Sequence, residues 1–104
     1  MDLRNYDGLL SQYTENPELI NKIAELARAL TPISEIAALL DLNEEILRMV
    51  INDKSSPVRL AYMKAKAQTA LELRKNELEL AKVGAPLAVQ LTSNYLKDMT
   101  ADEL

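Results

Sequence analysis

The chain has 104 residues, 48% of them apolar, with four Tyr as its only aromatics, two Gly, four Pro and a net charge of −4. That length holds one small domain, or two subdomains sharing a helix, and a Leu-, Ala-, Ile- and Val-rich chain with so little punctuation predicts long helices rather than sheet. The lack of Cys and His excludes disulfides and thiolate sites and removes the commonest general base and metal ligand; no apolar run is long enough to span a membrane, and the acidic balance argues against avid nonspecific binding to nucleic acid.

Residues 1–16 read as a flap in which Tyr6, Leu9, Leu10 and Tyr13 form one or two helical turns. The polar start Met1-Asp2-Leu3-Arg4-Asn5 is unlike a secretory signal, so a cytoplasmic location is expected. Asn16-Pro17 opens a helix, with Asn16 as cap and Pro17 at the first helical position. Apolar residues from Leu19 carry it to about Leu30, where Thr31-Pro32 ends it. Thr31 is placed to cap a second helix over about 32–40, whose apolar face is Ile36, Ala37 and Leu40. Ala37 is small enough to let a crossing helix approach. Asp41 stands where a turn needs a left-handed residue, a conformation that Asp tolerates better than most. Leu42 plugs the turn, Asn43 caps a third helix over about 44–52, and Glu44 and Glu45 suit its positive end. Ile46, Leu47, Val50 and Ile51 then repeat at helical spacing.

Residues 52–56 form a linker, and Ser56-Pro57 restarts a helix that nothing interrupts before Val83. Its stripe is Leu60, Met63, Ala67, Leu71, Leu78 and Ala81. Gly84 fits a left-handed helix exit, and Pro86 opens a last helix to about Met99, with Leu87, Leu91, Tyr95 and Met99 on one face. The expected architecture is all-α: a flap (1–16), a helix-turn-helix three-helix unit (17–54), an antiparallel hairpin of one long and one short helix (55–99), and a frayed tail (100–104). The long arm outruns its partner. The stripe Leu60, Met63, Ala67, Leu71 and Leu78 therefore needs another copy or another protein to cover it, and a homo-oligomer is expected.

A helix-turn-helix is the commonest way for a small bacterial protein to place a helix in the DNA major groove. Candidate groove-facing residues are Asn43, Glu44, Leu47, Arg48 and Asn52. Arg48 can be bidentate to guanine and Asn52 to adenine, while Glu44 can accept from cytosine. Lys54 suits a phosphate. Arg59, Lys64 and Lys66 either contact phosphates beside this head or form a solvated face with i,i+4 pairs. Charge is uneven: residues 18–54 carry four bases and seven acids, residues 55–83 six bases and three acids. The reading unit is thus the acidic part, so its binding to DNA should need several copies and should fade steeply with salt.

Catalysis finds no footing. Ser34, Ser55, Ser56 and Ser93 have no His to activate them, Glu72, Glu77 and Glu79 share no helical face, and no Gly-rich loop can cradle a phosphate. The chain is expected not to be an enzyme and to hold neither cofactor nor metal.

The second half carries a likeness. Tyr62-Met63-Lys64-Ala65-Lys66-Ala67, then Leu71 to Val89 with its Leu80-Ala81-Lys82-Val83-Gly84-Ala85-Pro86 hinge, then Tyr95-Leu96, together resemble the small terminase subunits of bacteriophages. The likeness spans residues 31–97 in architecture and the Gly84/Pro86 hinge in detail. It implies a non-catalytic, ring-forming DNA-packaging subunit that presents double-stranded DNA to a large terminase ATPase/nuclease subunit. Two other functions suit the same helices: a dimeric helix-turn-helix transcriptional regulator, and a helical protein–protein adaptor that never touches DNA.

Overall fold

Capping chemistry sets most of the helix starts. The computed structural model describes residues 10–103, and among them it is all-α. A short helical segment at residues 10–14 precedes α1 (Pro17–Arg28), α2 (Ile33–Leu39), α3 (Glu44–Asn52), α4 (Pro57–Lys82) and α5 (Pro86–Asp102). Tyr6 and Leu9 of the expected flap lie outside the described residues. Asn16 Oδ1 accepts from the Leu19 N–H at 3.1 Å, and Asn43 Oδ1 accepts from the Ile46 N–H at 3.1 Å. Ser56 Oγ does the same for the Val58 N–H at 3.1 Å, in a buried position where an unmet donor would be costly. The start of α2 departs from expectation. Its cap is Pro32, which has no side-chain acceptor, and the Thr31 N–H is bonded back to the Leu26 carbonyl at 3.0 Å.

That backward bond belongs to a pattern used three times. At the ends of α1, α2 and α4 a left-handed residue follows the cap, and the next N–H returns to a carbonyl in the last turn. Thr31 bonds Leu26, Leu42 bonds Ala37 at 2.8 Å, and Ala85 bonds Leu80 at 3.2 Å. The left-handed residues are Leu30 (φ 58°), Asp41 (φ 55°) and Gly84 (φ 86°). Leu30 therefore turns the chain instead of extending α1, which stops two residues short of the expected end. Replacing Asp41 by Gly should leave stability within about 0.5 kcal/mol, since relief of the left-handed penalty is offset by a more flexible unfolded chain. Asp41→Val should cost about 1–2 kcal/mol, because a β-branched residue does not fit there. Urea unfolding midpoints of the two variants decide it, and equal midpoints would refute the argument.

Two compact units meet at Thr69/Ala70, inside α4. The first is built on Ile23, Ile36, Leu47, Val50 and Val58, all fully buried, with Tyr13, Ala27, Ala37, Ile51, Tyr62 and Ala65 around them. The expected boundary at 54/55 is thus not where packing divides the chain, since Val58, Tyr62 and Ala65 of α4 complete the first core. The Thr69 hydroxyl donates to the Arg28 carbonyl, and Arg28 Nη2 reaches Gln68 Oε1 at 3.5 Å, so α4 also closes the end of α1.

Tyr13 is 5% exposed and belongs to this core rather than to a loose flap. Burial raises its phenol above the usual 10.0, only partly opposed by a backbone hydrogen bond with Asn43. An acid whose folded pKa is raised gives stability that is complete below the unfolded value and is lost as pH rises through the folded one. Stability should therefore begin to fall above about pH 10, and Tyr13→Phe should move that onset upward. A circular-dichroism titration reads it; an unchanged onset would show that Tyr13 is not the group responsible.

In the second unit, α5 lies against the later turns of α4. Ala88 is buried, Leu91, Thr92 and Tyr95 are half-buried, and the Arg74 guanidinium stands 5.9 Å from the Tyr95 ring centroid. The expected inner face is corrected here: Leu87 and Met99 are 70% and 63% exposed, because the small Ala88 takes the close approach. The helix continues to Asp102 instead of fraying from Thr100, whose hydroxyl bonds the Leu96 carbonyl at 2.9 Å.

α4 is apolar on two opposite sides. Val58, Tyr62 and Ala65 enter the first core, while Leu60, Met63 and Ala67 project away from it. In the second unit Leu71 and Leu78 are each 48% exposed. No helix among the described residues is long and apolar enough to cross a membrane.

Candidate nucleic-acid interface

The four-residue turn 40–43 and the Asn43 cap fix the direction of α3, and its apolar side is drawn into the first core through Leu47, Val50 and Ile51. What remains outside is a polar face in which Glu44, Arg48 and Asn52 recur every fourth residue. Asn43 and Glu45 flank it at the start, and Lys54 follows beyond its end; all are exposed. Leu47 must be removed from the expected groove-facing set: none of its surface is exposed, so it cannot reach a base edge.

Arg48 and Glu44 are joined, Nε to Oε2 at 3.4 Å, with about half of each side chain in solvent. An exposed i,i+4 pair of this kind is worth about 0.3–0.5 kcal/mol, so Arg48 can exchange it for a guanine edge at little cost. At the far end, Asp53 Oδ1 accepts from the Ser55 N–H at 3.0 Å and the Ser55 hydroxyl at 2.8 Å. These bonds hold its carboxyl below the usual range and keep a negative charge next to Lys54.

The remaining candidate bases divide. Arg59 Nη1 donates to the Ile51 carbonyl at 2.9 Å, closing one of the unmet acceptors at the end of α3, and is half-buried in doing so. Its guanidinium is tied to protein backbone. Lys64 and Lys66 are exposed on α4 and make no ion pair among the described residues. The oligomerisation candidates Leu60, Met63, Ala67, Leu71 and Leu78 are all exposed, Leu60 at 71%.

One surface was not singled out by sequence. An open groove of about 630 Å³ runs between the later turns of α4 and α5, with Leu78, Leu96 and Met99 as its apolar walls and Asp98 and Asp102 among its lining. Its sequence signal is the run Asp98, Asp102, Glu103 at a helix end with no base in the last turn, the reverse of what a helix dipole favours. Among the described residues no group of His, Cys, Asp or Glu is arranged to hold a metal ion. Compared with protein-family models, with curated proteins and with solved structures, the chain matches none.

Proposed function

We propose that the chain is a non-catalytic, oligomeric DNA-binding subunit, similar in role to the small terminase subunits of bacteriophages. In this reading α2, the turn and α3 form the DNA-reading head. The second unit and the outer face of α4 assemble copies and present duplex DNA to a large ATPase/nuclease partner. The observation that carries the proposal is the exposed Glu44–Arg48–Asn52 face on a short, capped helix whose other side is locked into a core. Those three residue types can read base edges, and Lys54 lies where a phosphate contact would fix register.

Fluorescence anisotropy on duplexes from the neighbouring genome tests it at two salt concentrations. Binding should be seen at low salt and fall steeply as salt rises. Arg48→Ala should remove sequence preference at a cost of about 1–3 kcal/mol, whereas Lys54→Ala should weaken all sequences alike. Absence of binding at low salt, or indifference to both substitutions, would leave α3 without a DNA role. The second reading, a protein–protein adaptor, would then take over. It is favoured by the acidic surroundings of Arg48 and by the number of large apolar side chains left exposed on α4 and α5.

A further inference from the structure

The end of α3 is closed differently from the ends of α1 and α2. Those two exit through a left-handed residue whose follower bonds back to the last turn. At the end of α3 the cap Asp53 is extended instead, at φ −79° and ψ 111°. The Ser55 N–H, which a continuing helix would bring to the Ile51 carbonyl, goes to Asp53 Oδ1. Arg59, in the first turn of α4, supplies the missing donor. Its Nη1 stands 2.9 Å from the Ile51 carbonyl, and the residue is half-buried. Its charge also suits the negative end of α3. The Ile51 carbonyl and the Asn52 N–H belong to one planar peptide unit, so a bond to the first fixes the plane of the second. Ile51 is buried, while Asn52 and Lys54 are exposed.

We infer that Arg59 is a positioning residue of the reading head. It does not grip DNA; it holds the last turn of α3 so that Asn52 meets its base in a fixed direction. This rests on the proposed DNA reading and specifies how the far end of α3 is aimed. The near end is held by Asn43, whose Oδ1 accepts from the Ile46 N–H. Arg48 lies one turn nearer that cap, beside the buried Leu47, and is aimed without Arg59. Two candidate bases close together in sequence thus have different tasks: Lys54 meets a phosphate, and Arg59 braces the backbone that carries Asn52.

Fluorescence anisotropy on duplexes from the neighbouring genome tests it in the full chain, with helicity read by circular dichroism. Each base pair of the best-bound duplex is replaced in turn. Asn52→Ala and Arg48→Ala identify the pair that each residue reads, as the one whose replacement no longer weakens binding. Arg59→Met keeps the apolar stem and removes the donor. It should erase discrimination at the Asn52 pair, roughly tenfold in the native chain, and leave it intact at the Arg48 pair. Arg59→Lys, which still carries a donor, should restore it. The slope of log affinity against log salt should stay native in both variants, whereas a lost phosphate contact lowers it by about 0.9. A lowered slope in Arg59→Met makes Arg59 a phosphate contact. Discrimination that survives in Arg59→Met, or falls equally at both pairs, makes Arg59 a stabiliser of the fold alone. Either result, or an Asn52→Ala chain that reads every pair as the native one does, overturns the positioning role while DNA binding stands. If Arg59→Met loses helicity, NMR of the native chain decides. The Arg59 side-chain signal should stay in place on adding duplex while that of Arg48 moves, and an Arg59 signal that moves with it overturns the role. A native chain that binds no duplex at low salt overturns the DNA reading and this role with it.

Discussion

Leu47→Ala should unfold the first unit at markedly lower temperature than the native chain. Leu47 is fully enclosed with Ile23, Ile36, Val50 and Val58, so truncation removes buried methyl groups and leaves a cavity in contact with three helices and the start of α4. Such changes cost about 2–5 kcal/mol, against a total stability of about 5–15 kcal/mol for a small domain. In a domain of this size each kcal/mol moves the melting temperature by roughly 4–8 °C. Thermal circular dichroism checks it. Arg48→Ala, on the exposed face of the same helix, should melt within a few degrees of the native chain. If the two variants melt alike, the division of α3 into a core side and a solvent side is wrong.

Leu71→Asp combined with Leu78→Asp should convert an assembly into monomers without loss of helix. Full burial of a leucine is worth roughly 1.5–3 kcal/mol, and these two are half-exposed in the isolated chain. What assembly gains at each is therefore a fraction of that, but a buried aspartate at the same place adds the cost of an unpaired charge. Two such sites exceed what a contact of ordinary affinity can absorb. Light scattering at tens of micromolar reads the mass. A native chain that is already monomeric would remove the premise, and a doubly substituted chain of unchanged mass would show that the outer line of α4 is not an interface.

The features legible in the sequence are those whose physics is local. Asn16 with Pro17, Asn43, Ser56 with Pro57, and Gly84 followed by Pro86 each act on the backbone within a few residues, and each starts or stops a helix where its chemistry says it should. Asp41 was legible for the same reason: its left-handed turn is a property of one residue and its neighbours. What depends on partners distant in sequence was not. Leu30 is the exception, a local turn that was missed: it looks like one more apolar helical residue, although the bond that takes it out of the helix runs only from the Thr31 N–H to Leu26, five residues back. Arg59 looks like a surface base until the end of α3 is placed beside it. Tyr13 and Leu47 show the same effect for burial, since periodicity says which residues are apolar but not which of them another element covers. The α4–α5 groove was hidden because the inner face of α5 is set by Ala88, a residue too small to announce itself in a hydrophobic pattern.

The two-sided character of α4 limits how its length can vary. Within the first unit, Val58, Tyr62 and Ala65 face the core and Leu60, Met63 and Ala67 face away from it only because the helix runs through them without a break. With 3.6 residues per turn, one residue inserted after Tyr62 rotates everything beyond it by about 100° and carries Ala65 out of the core. Seven inserted residues restore its direction to within about 20°. Along this helix, chain length is thus held in phase, and insertions or deletions are tolerated by the heptad and not by the single residue.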